Sequence, residues 1–125
     1  MLLKNKTAVV TGCNRGIGKK VVEVFSNNGA NVYACVRKIE KDFSSFIKDI
    51  SLKTSNKIIP VEIDFEDIDK TKEASKFILE KNDGIDILIN NAGIIDSSIF
   101  QMTKLENIKK IFEINFFSQM VFTQN

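Results

Sequence analysis

Histidine is absent from the 125 residues of this chain. That absence removes serine–histidine–aspartate and cysteine–histidine catalysis together with the commonest metal ligand. Cysteine occurs only as Cys13 and Cys35, too few for a disulfide framework and without zinc-site spacing. Proline occurs once, at Pro60, and no stretch reads as a Pro/Gly-rich linker, a repeat or a low-complexity tract. No apolar run approaches the ~20 residues that a membrane-spanning helix needs. The opening Met-Leu-Leu-Lys-Asn-Lys leads directly into a strand pattern, without the apolar core or small-residue cleavage site of a signal peptide. Excess charge is scarce too: 18 basic against 16 acidic residues leave +2, which argues against nucleic acid as the main partner. The expectation is a soluble, cytoplasmic chain with neither a nucleic-acid nor a membrane partner.

What remains is ordinary globular material, 43% hydrophobic and 27% charged, of a size for one compact domain. Folding at this length buries roughly two-thirds of the unfolded chain's surface, so a core forms without disulfides or metal. Short apolar runs alternate with amphipathic stretches. Strands are expected at Lys6–Thr11, Asn31–Val36, Lys57–Ile63 and Ile85–Ile89. Helices are expected from Gly16 to Asn28, with Ile17, Val21, Val24 and Phe25 on the apolar face, and from about Asp42 to Thr54 on Phe43, Phe46, Ile47 and Ile50. Two more are expected over Glu66–Lys81, with Ile68, Phe77 and Ile78 apolar, and over about Lys104–Gln124. The β-α-β-α-β-α-β-α order predicts a Rossmann-like, doubly wound α/β fold: a parallel sheet covered on both faces, strands ordered 3-2-1-4. Pro60 then falls on an edge strand, where a missing amide is tolerated.

The segment Thr11-Gly12-Cys13-Asn14-Arg15-Gly16-Ile17-Gly18 stands where the first strand turns into the first helix. A backbone that bends there and closely approaches a phosphate needs residues without Cβ, which Gly12 and Gly16 supply, while Gly18 lets helix and strand pack tightly. The exposed amides, from Gly12 and Asn14 through Arg15, Gly16 and Ile17, and the positive helix end then face a diphosphate; a purely structural turn is the alternative. The spacing is not that of a P-loop, because Ile17 and Lys20 occupy positions where that motif needs glycine and Ser/Thr. At the end of the second strand, an NAD site usually carries an acidic residue for the ribose 2′-hydroxyl. Here the sequence reads Val36-Arg37-Lys38. Arg37 offers a planar fork of donors suited to a 2′-phosphate, with Arg15 within reach of the same group, so NADP(H) is favoured over NAD(H). Cys13, at a helix N-terminus beside Arg15, is either a reactive thiol of lowered pKa or an inert loop residue.

With these residues on the page, the sequence resembles the short-chain dehydrogenase/reductase family. The T-G-x-x-x-G-I-G spacing of Thr11–Gly18 is similar to that family's cofactor loop, and Asn90-Asn91-Ala92-Gly93 to its N-N-A-G signature. Asp64 matches the acidic residue such enzymes set against adenine, and Asn115 the asparagine of their catalytic tetrad. The T-G-x-N-R-G-I-G form with Arg37 most resembles the 3-oxoacyl-ACP reductase-like members, and the glycine spacing differs from the G-x-x-G-x-x-G of the extended branch. The resemblance implies hydride transfer between nicotinamide and a carbonyl or alcohol of a small-molecule substrate. Asp64 either accepts from the adenine amino group or caps the helix near Glu66. Asn90, Ala92 and Gly93 are placed at the ribose, with Ala92 and Gly93 keeping its floor small; for Asn90 and Asn91 the alternative is an ordinary turn. Asn115, on the face of Ile108, Ile111 and Phe112, is expected to be buried, holding a helix kink and a water of a proton relay, or serving as a satisfied core amide.

The same resemblance calls for a Tyr-x-x-x-Lys pair and a serine. The only tyrosine, Tyr33, lies inside the second strand and is followed four residues on by Arg37. The chain is therefore expected to be the N-terminal part, 1–125, of a single NAD(P)-binding domain whose catalytic half follows Asn125, inactive by itself. A non-catalytic nucleotide-binding or regulatory module complete at Asn125 is the alternative. The last helix is apolar nearly all round, which predicts burial on two sides; the family resemblance, in which the corresponding helix packs in a dimer interface, implies a homodimer or homotetramer of the intact enzyme.

Overall fold

The computed structural model describes residues 1–125, all of the chain. Four parallel strands, β1 (Thr7–Thr11), β2 (Asn31–Val36), β3 (Ile58–Glu62) and β4 (Ile87–Ile89), lie in the order β3-β2-β1-β4. The expected 3-2-1-4 sheet is thus observed. Helices α1 (Gly16–Asn27), α2 (Lys41–Thr54) and α3 (Ile68–Glu80) make the crossovers. Beyond β4 an irregular stretch leads through a 3₁₀ turn (Phe100–Met102) to α4 (Leu105–Phe112), a π turn (Glu113–Phe117) and α5 (Ser118–Gln124).

Alternation along the strands divides the core in two. Val10, Val32, Ala34 and Val36 face Val22 of α1 and Phe43, Ile47 and Ile50 of α2. Val9, Tyr33, Cys35 and Val61 face Ala74 and Ile78 of α3, with Ile114 and Phe122 from the last helical stretch. Phe65 closes that second layer edge-on against Phe122, ring centroids 5.8 Å apart. Tyr33 is a buried strand residue whose hydroxyl accepts a bond from Asn82 Nδ2 at 2.9 Å. Pro60 does sit on the edge strand. Val32 N–H donates to Lys57 and Ile63 N–H donates to Val36. The odd-numbered residues of β3 therefore point their amides and carbonyls inward, and the Pro60 nitrogen faces the outer rim, where it breaks no ladder bond.

Several boundaries and faces differ from the sequence expectation. β4 starts at Ile87 instead of Ile85 because Asp86 acts as a clamp: its carboxylate accepts Thr7 N–H at 2.8 Å and its own amide donates to Thr7 at 3.0 Å. α3 starts at Ile68, not Glu66, because the Asp67 side chain caps it, accepting from the amides of Asp69 and Lys70. α1 buries Gly18, Val22 and Ser26, leaving Ile17 and Val24 exposed. α3 buries Thr71, Ala74, Ser75 and Ile78 while Phe77 turns outward. Small residues let both helices approach the sheet closely, and that selects a face displaced from the most hydrophobic one. The helix expected as continuous over 104–124 is interrupted by the π turn, in which Ser118 N–H bonds Glu113, five residues back. No helix is long and apolar enough to cross a membrane.

Candidate functional site

The carboxyl ends of β1 and β4 are stitched together by side chains. Thr11, fully buried, accepts through Oγ1 the amides of Asn91 (3.1 Å) and Ala92 (3.0 Å), and donates to the Ile89 carbonyl at 3.4 Å. Asn91 answers with Nδ2, which donates to the carbonyls of Thr11 and Gly12, both at 3.2 Å. Ile89, Asn91 and Ala92 are thereby tied to Thr11 and Gly12.

The bend after β1 needs its glycines for two reasons. Gly12 and Gly16 have φ of +68° and +58°, the left-handed region where a side chain is strained. A Cβ on Gly12 would stand 2.9 Å from Ala92 Cα, and one on Gly18 would come within 2.2 Å of the Gly12 carbonyl oxygen. Gly18 thus permits the close helix–strand approach, and the space around Gly16 is open.

Beyond the strand ends lies a crevice of about 150 Å³, whose lining includes Gly12, Asn14, Arg37, Asp64, Ala92 and Gly93, with Phe65, Glu66, Ile94 and Ile114 among its other walls. It adjoins a broader groove of about 1240 Å³ beside β3, with Asn14, Arg37, Ile63 and Asp64 common to both. Arg37 projects into solvent, with Nη2 3.8 Å from Glu66 Oε2. Asp64 accepts the Glu66 amide at 3.0 Å, so its carboxylate bends the chain into the α3 cap and still lines both hollows. The helix-capping reading of Asp64 is not observed, because the cap of α3 is Asp67.

Asn115 departs from the expectation of burial: it is exposed in this chain, and both ends of its amide are nevertheless hydrogen-bonded. Oδ1 accepts Ile94 N–H and Nδ2 donates to the Ile94 carbonyl, each at 2.8 Å. This two-way clasp ties the π turn to the strand-end loop. Gln119 adds a second tie, Nε2 donating to the carbonyls of Ala92 (2.6 Å) and Ile114 (3.1 Å). Asn115 lies within the π turn Glu113–Phe117, whose Ile114 lines the crevice.

The family model for short chain dehydrogenases matches residues 6–125. The chain belongs to that family. Within it, this short-chain dehydrogenase sequence is 31% identical over 117 residues to an NADPH-dependent 3-dehydrocapnine reductase of Ornithobacterium rhinotracheale, covering 94% of this chain and 40% of the relative. It is likewise 31% identical over 120 residues to the 3-oxoacyl-[acyl-carrier-protein] reductase FabG of Buchnera aphidicola, 92% of this chain and 45% of the relative. A solved short chain dehydrogenase of Burkholderia cenocepacia in complex with NADP superposes with a TM-score of 0.90 at 27% identity, over 99% of this chain and 50% of the other. The chain spans less than half the length of these curated relatives.

Not every residue anticipated for the site of this short-chain dehydrogenase lines the crevice. Asn90 turns away and donates from Nδ2 to Thr123 Oγ1 at 3.1 Å. Arg15, Gly16 and Ile17 lie on the exposed outer part of the glycine loop, outside the crevice lining. Of the two readings of Cys13, the structure favours the inert one. Its side chain is buried beneath the loop, Sγ donating to the Val10 carbonyl at 2.8 Å, and burial pushes the thiol up to about 12, against the lesser opposing pull of the Cys35 backbone bond. A reactive thiolate is excluded there. Sequence reasoning passed over Thr11, Asn91 and Gln119 as structural partners of the site. Thr11 and Asn91 sit within the motifs it used, but nothing in the spacing says which side chain ties which loop.

Proposed function

We propose that residues 1–125 are the coenzyme-binding part of a single NAD(P)-binding domain in an NADP(H)-dependent oxidoreductase acting on a small carbonyl or alcohol substrate. The observation that carries this reading is the convergence of Gly12, Asn14, Arg37, Asp64, Ala92 and Gly93 on one crevice at the carboxyl ends of parallel strands. The residues fit a dinucleotide: Gly12, whose Cβ would stand 2.9 Å from Ala92 Cα, keeps the bend tight against the second loop, the space around Gly16 is open, and the exposed loop amides meet a helix N-terminus. The loop from Gly12 through Asn14, Arg15, Gly16 and Ile17 holds the diphosphate through its backbone, with Gly18 keeping the helix close. Arg37 takes the 2′-phosphate, since the end of β2 reads Val36-Arg37-Lys38 and carries no acidic residue of its own to take a ribose hydroxyl. Asp64 accepts from the adenine amino group. Ala92 and Gly93 leave room for the ribose, with Asn90 contributing backbone only. Asn115 positions this floor by gripping Ile94, and it orders a proton-relaying water in the complete enzyme. When bound, the nicotinamide supplies the hydride acceptor or donor. The similar reductase described as NADPH-dependent and the NADP complex support this coenzyme.

Proton transfer in this reading belongs to a Tyr-x-x-x-Lys pair beyond Asn125. Sequence past that residue containing the pair some 40 positions on supports an enzyme; its absence favours a binding or regulatory module. Large exposed side chains at Phe112, Phe116, Phe117 and Met120 favour a homodimer or homotetramer, and two buried free thiols suit the reducing cytoplasm. The deciding experiment is Arg37→Glu in the complete gene product, titrated with both coenzymes. Affinity for NADPH should fall by roughly tenfold or more while NADH is little changed, as expected for charge-assisted bonds to phosphate. Equal losses would overturn the 2′-phosphate assignment.

A further inference from the structure

We propose that Glu66 sets the strength of NADP(H) selection by competing with the 2′-phosphate for Arg37, and that Lys110 restrains that competition. This inference rests on the coenzyme reading above. The Glu66 carboxylate uses its two oxygens on two different cations: Oε2 lies 3.8 Å from Arg37 Nη2, and Oε1 lies 2.7 Å from Lys110 Nζ. The backbone of Glu66 cannot wander, since its amide is held by Asp64 at 3.0 Å. Glu66, Arg37 and Asp64 also wall the same crevice. An anion arriving at Arg37 therefore meets a carboxylate already there.

The geometry grades the two contacts. The Lys110 contact is a close ion pair at 2.7 Å with both side chains partly covered, whereas the Arg37 contact is long and its side chain is 76% exposed. Exposed pairs of that kind are weak and easily exchanged for a better partner. A phosphate that brings two charges and a matching geometry displaces Glu66 from the guanidinium, and Lys110 keeps the freed carboxylate from following. With NADH no phosphate arrives, and the Arg37–Glu66 pair stays. Because Lys110 belongs to α4, the placement of that helix enters coenzyme choice without touching the coenzyme.

The test compares NADPH and NADH affinities by fluorescence titration of the complete gene product at low salt. Glu66→Gln should tighten NADPH by roughly threefold to fivefold and leave NADH unchanged, the scale of an exposed ion pair. Lys110→Met should act oppositely, weakening NADPH by a similar factor as the carboxylate settles on Arg37. In an Arg37→Met background both effects on the NADPH/NADH ratio should vanish. A ratio that ignores Glu66→Gln, or a change that persists without Arg37, overturns the proposal even if the protein prefers NADPH. Binding of neither coenzyme by the wild type would instead overturn the coenzyme reading on which it stands.

Discussion

Replacing Thr11 by valine tests the stitching of β1 to β4 at a single atom. Valine keeps the shape and the β-branch, so the strand itself is not disturbed. The hydroxyl it removes serves three groups. They do not suffer equally. Asn91 N–H also reaches the Ile89 carbonyl at 3.1 Å, so those two groups retain each other. Ala92 N–H has Thr11 Oγ1 as its acceptor and is left without one. One orphaned amide costs about 1–3 kcal/mol, and the weakening of the shared bond adds a fraction more. The expected loss is about 1.5–3 kcal/mol, a fall of roughly 5–12 °C in melting temperature for a domain of this size. Urea denaturation should show a lower midpoint with an unchanged slope. Thr11→Ser keeps the hydroxyl and loses only a buried methyl, about 1 kcal/mol. The two variants should separate in coenzyme titrations: serine near wild type, valine clearly weaker, because the loop bearing Ala92 and Gly93 loosens. A valine variant as stable as wild type, binding coenzyme as well, would refute the reasoning.

Gly18→Ala forces a methyl to within 2.2 Å of the Gly12 carbonyl oxygen. The helix must back away, and stability should fall by about 1–3 kcal/mol as for other overpacked sites, measured by denaturation; a neutral result would mean that α1 slides freely. Asp86 has its pKa held below the ordinary aspartate value, chiefly by the Thr7 amide and, after the opposing effect of desolvation, by Lys6. A lowered folded-state pKa gives stability that is full above the unfolded value and drains away as pH falls through the folded one. Asp86→Asn should therefore be less stable than wild type at pH 7, with the gap narrowing below about pH 4; a gap independent of pH would contradict the clamp. Cys13, buried with its pKa raised to about 12, should resist iodoacetamide in the native protein with or without NADPH and react on unfolding, followed by mass spectrometry. Rapid native labelling would contradict its inward placement.

The strand order was readable because each strand is a short β-branched run and each crossover a helix of fixed hand. The glycine loop was readable because its residues answer steric demands local to the chain. Which face a helix buries was not: hydrophobicity pointed to Ile17 and Val24 in α1, whereas close packing chose Gly18, Val22 and Ser26. The choice between a reactive and an inert Cys13 was left open by the spacing, because the loop turns through Gly12 before that side chain is aimed, and the turn sends it inward. Asn115 was placed in the core from its neighbours' pattern. The π turn shifts the phase of the helix by a residue there, and no periodicity reveals that. The swing of Asn90 toward Thr123 joins residues 33 apart, a relation that local reading does not contain.

A proline on the outer rim gives this sheet a direction of growth. Along β3, the row of outward donors is broken at its middle residue, so an approaching peptide finds no continuous template. The opposite flank, beside Ile87–Ile89, has no such guard. Any polypeptide that widens the layer, natural or designed, has to join there, and a graft aimed at the other flank should fail to register.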